Sequence, residues 1–247
     1  MVKDFNLSDE VPVSIFVNGE CLATLMCTPE DLQDLALGHL LNAGLISGKA
    51  DITGCSVCKA EKEVYVSLNK VVEKGTRFSD VITTACGQGT DYLDVLDEMS
   101  PLHSGYEVTT FEIRQSFVRM IKESKKYIRH GGVHSSALVT RSTFITREDV
   151  ARHNSHDKVT GRGLLEDVDF SESMIITTGR ISADMVFKAR NAGVPIICSL
   201  SNPTLLAVQI ADRFGITVIG RSMGKDMTVY TQDQRINNKE LRLCFND

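Results

Sequence analysis

MIITTGRISADMVFKARNAGVPIICSLSNPTLLAVQIADRFGITVIGR, residues 174–221, decides the fold. MIITTG, VPIICSL and ITVIGR are short runs of branched apolar residues, of strand length and bordered by glycine or proline. SADMVFKARNAG and TLLAVQIADRFG between them carry helical spacing, with Ser182 placed to cap the first helix and Gly193 to end it. Strand, helix, strand, helix, strand implies right-handed crossovers onto a largely parallel sheet. Ligands of such sheets gather beyond the carboxyl ends of the strands, where helix N-termini present free N–H groups. Three loops fall there, at 177–180, 199–203 and 220–226. In the last, GRSMGKD, Arg221 and Lys225 flank Gly224, so backbone and positive charge could both meet a phosphate; a glycine turn with two surface cations is equally an ordinary turn.

Working back from this stretch, SSALVT and STFIT suggest paired strands, and EDVARHNSHDKVTGRGLLE suggests a helix opening with Glu148 and Asp149. EIRQSFVRMIKESKKYIR reads as one amphipathic helix, with Ile113, Phe117, Met120, Ile121 and Ile128 at helical spacing. Near the start, VPVSIFV alternates and is followed by Asn18-Gly19, a hairpin signal with ECLATLM as the return strand. TPEDLQDLALGHLLNAGLI then predicts a helix with Thr28 as cap and Pro29 at its first position, with His39 as a hydrogen-bonded core residue. ITGCSVC and EVYVSL predict a second hairpin around Lys59–Lys62. Residues 1–82 therefore read as a small α+β unit, 83–110 as a mobile cysteine loop with a short helix DYLDVLDEM capped by Thr90, and 111–247 as an α/β domain.

The 247 residues suffice for a sizeable core, and 42% hydrophobic with 24% charged residues is ordinary globular composition. The N-terminus MVKDFNLSDE is polar and acidic, unlike a signal peptide, and no apolar run approaches membrane-spanning length. Seven cysteines, an odd number in a chain this long, predict reduced thiols in a cytoplasmic protein. A net charge of −5 argues against a general nucleic-acid binder. The distribution is uneven: residues 1–110 hold 7 Lys+Arg against 17 Asp+Glu, whereas residues 111–247 hold 20 against 15. An anionic ligand would belong to the second half.

Cys86, in TTACGQGTD, lies among small and polar residues a few positions ahead of a helix start, where the helix dipole favours thiolate. It reads either as a reactive thiol or as an accidental surface cysteine. Cys55 and Cys58 form a C-x-x-C pair, but residues three apart on a strand face opposite sides, and no second pair completes a zinc site. His130 and His134, and Asp149, His153, His156 and Asp157 if helical, raise a metal-site alternative; a hydrogen-bonded network explains them equally well. A zinc deaminase would need H-x-E with a downstream P-C-x-x-C, and this chain has His134-Ser135-Ser136.

RHGGVHSSALVT, REDVARHNSHDKVTGRGLL, TTGRISADMVFKARNAGVPIICSLSNPTLLAVQIA and VIGRSMGKDMTVY together resemble, in order and spacing, the FdhD/NarQ family of formate dehydrogenase accessory sulfurtransferases. VNGE and TPEDLQDLALGHLLNAGLI extend the resemblance over nearly the whole chain. It implies a dimeric sulfur carrier that takes sulfane sulfur from a cysteine desulfurase as a persulfide. The carrier would deliver it to the molybdenum (or tungsten) bis-pterin guanine dinucleotide cofactor of formate dehydrogenase. The family's C-G-x-C-G loop puts the carrier sulfur on Cys86. Its cofactor stretch falls on Arg221, Ser222, Met223, Gly224, Lys225 and Asp226, and its second domain implies a cytidine-deaminase-like three-layer α/β/α fold without zinc. Arg152, His153, Asp157 and Lys158 would support the site by hydrogen bonding. The chain departs from the pattern at Gly89, where the loop's second cysteine would stand, and at Asp226, Thr228, Ala151 and His130. A cofactor-binding chaperone that transfers nothing, and a metal-dependent hydrolase using the His/Asp cluster, are the alternatives.

Overall fold

The structure, a computed structural model, describes residues 7–71, 100–225 and 227–237. Cys86, the DYLDVLDEM segment, Asp226 and the domain boundary drawn at 82/83 lie outside the described residues.

Two sheets carry the fold. The first is built from β1 (Val11–Val17), β2 (Glu20–Cys27), β3 (Ile52–Cys58) and β4 (Glu63–Leu68), in the order β2-β1-β4-β3. Asn18 and Gly19 both take positive φ, 51° and 88°, as a tight hairpin turn requires, and the predicted β1–β2 and β3–β4 hairpins form. Val13, Ile15 and Val17 point inward with Val64 and Val66 and pack on α1 (Leu32–Asn42).

The second sheet comprises β5 (His134–Val139), β6 (Phe144–Asp149), β7 (Met174–Thr177), β8 (Ile196–Ser199), β9 (Thr217–Gly220) and β10 (Thr228–Val229), in the order β10-β9-β8-β7-β5-β6. Only β7, β8 and β9 run parallel, while β5–β6, β5–β7 and β9–β10 are antiparallel, so the sheet is mixed rather than largely parallel. Its helices are α2 (Thr110–Glu123), α3 (Lys125–His130), α4 (Arg152–Leu165), α5 (Ala183–Ala192) and α6 (Leu205–Arg213). Strand alternation sorts the core. Ile176, Ile196, Cys198 and Ile219 join Ile113, Phe117 and Met120 of α2 on one face. Ile175, Ile197 and Val218 meet α4, α5 and α6 on the other. That second apolar cluster continues through α1 into the first sheet. Among the described residues no helix is long and apolar enough to cross a membrane.

The junction between the sheets is the crossing of α1 with α4, made backbone to backbone. A Cβ on Gly38 would lie 1.7 Å from the Asp157 carbonyl oxygen, and one on Gly161 would lie 1.8 Å from that of Asp34. Glycine is required at both positions by space alone.

Three local expectations are corrected. Thr28 does not cap α1, which begins at Leu32 behind Asp31. Its hydroxyl instead accepts from the Val150 N–H, and its own N–H donates to Asp149 Oδ2, stitching the first sheet to the second. The amphipathic helix breaks at Ser124, whose ψ of 78° is non-helical and whose hydroxyl donates to the Met120 carbonyl, so Ile128 is left 62% exposed. Glu148 and Asp149 end β6 instead of opening α4; Asp149 turns back to accept from the Ala151 N–H and the Asn154 amide.

Candidate functional site at the strand-end edge

Because α4, α5 and α6 each return from a strand, the carboxyl ends of β6, β7, β8 and β9 and the amino end of β5 share one edge of the second sheet. The three loops expected from sequence meet there, and Ser199 laces them together. Its hydroxyl donates to the Gly179 carbonyl (2.7 Å) and accepts from the Ser201 N–H (2.8 Å). Its carbonyl accepts from both the N–H (3.0 Å) and the hydroxyl (2.9 Å) of Ser222. The Arg221 N–H adds a bond to the Ser201 carbonyl. On the inner side a buried hydroxyl chain links Ser155, Ser136, Thr177 and the Ser135 carbonyl, and Thr177 Oγ1 also accepts the Gly179 N–H. Each buried polar group so named has a partner, which makes the edge rigid.

The residues of the 221–226 segment divide by burial. Ser222 is fully buried and its donors are engaged by Ser199, so it shapes the loop; Arg221, Met223, Gly224 and Lys225 are exposed. Arg221 holds a positive φ of 52°, outside the usual range for a residue with a side chain. Asp226 lies outside the described residues.

The Arg152–Lys158 block, expected as a unit, splits between edge and interior. Lys158 and Asp149 form an ion pair of 2.7 Å with no side-chain exposure, and the Lys158 ammonium also donates to the Thr28 and Glu148 carbonyls. Asp157 accepts from Lys188 (2.8 and 2.9 Å) and Asn42 (2.6 Å), with His39 Nδ1 at 3.4 Å. Burial opposes its charge, yet Lys188 and His39 hold the carboxyl well below the usual carboxylate range. Asp157 therefore joins α1, α4 and α5, whereas Lys158 is sealed against Asp149 at the end of β6 and the Thr28 carbonyl; neither side chain is exposed at the edge. His39 is the hydrogen-bonded residue predicted, although its side chain keeps 21% exposure.

Arg152 and His153 remain at the edge. His153 has Asp184 Oδ2 and Ser182 Oγ each at 3.4 Å, which explains why Ser182, standing at the N-cap of α5, makes no side-chain bond to that helix. Burial lowers the pKa of His153, and it drives that of His156, fully buried with neither ring nitrogen hydrogen-bonded, down to about 3. His134, which sequence reading considered only as a metal ligand, sits opposite Gly179. A Cβ on Gly179 would meet Arg152 Cβ at 2.8 Å and His134 Nδ1 at 3.3 Å. Arg180 follows directly, within the 177–180 loop expected from sequence, and is exposed.

Among the described residues no three His, Cys, Asp or Glu side chains converge to hold a metal ion, and the supposed helical face including Asp149 does not form. Of the described cysteines, Cys27 and Cys198 are buried; burial pushes the Cys27 thiol up to about 12 and raises that of Cys198 as well. Cys55, packed against the core, is pushed up to about 11 by burial. Cys21 is exposed and Cys58 partly so. A groove of about 690 Å³ lies at the opposite edge, lined by His103, Arg213, Gln232 and Arg235 among others. Arg235 there is 5% exposed and donates to the Gly215 carbonyl and Thr217 Oγ1, a structural role.

Fold and edge thus define a mixed α/β protein with a rigid, cation-flanked strand-end site. The profile of the FdhD/NarQ family matches residues 8–237, and the chain belongs to that family. It is 34% identical to the sulfur carrier protein FdhD of Bacillus licheniformis, over 95% of this chain and 91% of that protein. It is 32% identical to the sulfur carrier protein FdhD of Listeria innocua, over 94% and 91%. The crystal structure of a protein assigned as a formate dehydrogenase accessory protein, from Desulfotalea psychrophila, superposes with a TM-score of 0.77 at 27% identity. That superposition covers 94% of this chain and 90% of the other.

Proposed function

We propose that this chain is a sulfur carrier that serves formate dehydrogenase, with Cys86 as the carrier atom. The observation that carries the reading is family membership across residues 8–237, together with relatives named sulfur carrier protein. The cysteines of the described residues support it indirectly: Cys27, Cys55 and Cys198 are held as thiols by burial, and a thiol attacks poorly.

In the first step the Cys86 thiolate attacks the outer sulfur of a persulfide on a cysteine desulfurase. The new S–S bond forms on Cys86 as the donor's S–S bond breaks, and the donor cysteine leaves as thiolate. The recipient substrate, a molybdenum or tungsten bis-pterin guanine dinucleotide and not a resident cofactor, would then take the outer sulfur: its reduced metal supplies the electron pair for the new bond to sulfur as the Cys86 S–S bond breaks, and Cys86 leaves as thiolate. The strand-end loops and the 221–226 segment would hold its phosphates, with Arg221 and Lys225 supplying charge. A single thiolate suffices for the exchange, so Gly89 in place of a second cysteine is compatible with transfer. The same layering, with α2 on one face of the second sheet and α4, α5 and α6 on the other, supports a cytidine-deaminase-like reading of that domain. We further place the carrier in the cytoplasm, as a homodimer.

Mass spectrometry after incubation with a desulfurase and cysteine tests the proposal: one added sulfur on Cys86 is expected, and its absence overturns the carrier role. Gly89 favours a second reading, a cofactor-binding chaperone without transfer. Under it, Cys86→Ala keeps full formate dehydrogenase activation in cells; under the carrier reading that activation is lost.

A further inference from the structure

We propose that the open face of the first sheet is a docking surface for the outer side of α2, supplied by a second copy of this chain. The proposal rests on the homodimer of the reading above and adds which surfaces meet.

The first sheet is covered by a helix on one face only. Val13, Ile15, Val64 and Val66 pack with α1, and strand alternation turns Pro12, Phe16, Leu22, Met26 and Tyr65 to the other side. A half-covered antiparallel sheet ordinarily shows polar residues to water. Here Leu22, Met26 and Tyr65 are exposed, Met26 at 49%, and Phe16 stacks on Tyr65 with ring centroids 5.0 Å apart. The second sheet, by contrast, has helices on both faces. A run of large apolar side chains on an uncovered face marks an interaction surface.

The outer side of α2 has the matching chemistry. Ile113, Phe117 and Met120 enter the core, while Phe111 (59% exposed), Arg114, Val118, Ile121 and Lys122 recur at helical spacing on the opposite side. No carboxylate lies in that stripe: Glu112 bonds back to Thr109, and Glu123 pairs with Arg119. Charge is complementary too. Residues 7–71 hold nine Asp+Glu against four Lys+Arg, whereas residues 110–130 hold two against six. Glu63, which accepts from the Tyr65 hydroxyl, and Glu61 lie beside the aromatic pair, and ring faces of that kind also receive guanidinium groups.

Dimensions agree. The 14 residues of α2 span about 21 Å, within the roughly 23–27 Å of β1 and β2. One helix laid on one sheet is a small contact beside the roughly 800 Å² per partner of a stable interface. Made twice, with the α2 of each copy on the sheet of the other, it doubles in area, closes as a two-fold dimer and leaves neither face open.

Sedimentation equilibrium of the full-length protein, which yields the dimer dissociation constant, tests this. Arg114→Glu with Lys122→Glu should raise that constant about tenfold or more, and Glu61→Lys with Glu63→Lys should do the same. Because the contact joins unlike faces, all four changes in one chain should restore most of the affinity. Phe111→Ser, at an exposed position, should also weaken the dimer and keeps the test open if a charge-reversed chain fails to fold. Dimerisation unaltered by these variants, or weakened by both pairs with no recovery in the fourfold variant, overturns the interface and leaves the homodimer standing. Loss of persulfide loading by the desulfurase with an unaltered dimer overturns it in favour of a partner protein at the same face. A wild-type chain that stays monomeric overturns the homodimer of the reading above together with this contact.

Discussion

Gly38 and Gly161 meet where α1 crosses α4, each leaving less than 2 Å between a would-be Cβ and a carbonyl oxygen of the partner helix. A methyl group at either place forces the helices apart, and both helices carry buried polar bonds that depend on their spacing. Gly161→Ala should therefore destabilise the protein by on the order of 3 kcal/mol, seen as a lowered urea midpoint. An unchanged midpoint would mean that the crossing is looser than described.

The Asp149–Lys158 pair makes a sharper prediction because both partners are sealed from water. Lys158→Met leaves a buried carboxylate with N–H donors but no countercharge, and should cost about 3–5 kcal/mol. Adding Asp149→Asn in the same chain should recover part of that loss. A double-mutant cycle in urea measures the coupling, and additive losses would contradict it.

His156 sets a pH dependence whose sign follows from its environment. Its pKa falls from 6.5 to about 3 on folding, because burial disfavours the imidazolium. Between those values the unfolded chain binds more protons, so stability is complete above pH 6.5 and declines as pH falls toward 3. The slope should be on the order of 1 kcal/mol per pH unit. His134 and His153, also lowered mainly by burial, act in the same direction. Urea titrations at pH 7 and pH 5 should show the decline, and His156→Gln should flatten it; an equal slope in the variant excludes this histidine as its source.

Thiol reactivity should follow burial. Iodoacetamide at pH 8 should modify exposed Cys21 in the native protein while Cys27 and Cys198 stay unmodified until denaturant is added. Rapid native modification of Cys198 would contradict its position between strands of the second sheet and α2.

Much of this architecture was legible from the chain itself. The Asn18-Gly19 hairpin, the α5 stop at Gly193 and the β7–β9 crossovers each had a local physical cause that spacing and residue type reveal. What could not be read were choices settled by distant partners. Thr28 has every property of a helix cap, but Asp149 and Val150 claim it from 121 and 122 residues away. Asp157 and Lys158 look like site residues because they are charged and close to His153; only the packing of α1 and α5 on Asp157, and of Thr28 and Asp149 on Lys158, shows them turned inward. The three strand-end loops, Arg180 and Ser199 among them, were found because topology predicts their place, whereas the bonds by which Ser199 laces them needed the tertiary contacts.

Ser199 gives the edge one last property. Since its hydroxyl and carbonyl hold three loops in register before anything docks, the backbone there loses its freedom when the chain folds and not when a visitor arrives. Whatever molecule settles at that margin meets a finished mould, and discrimination among near-identical candidates can then come from misfit alone.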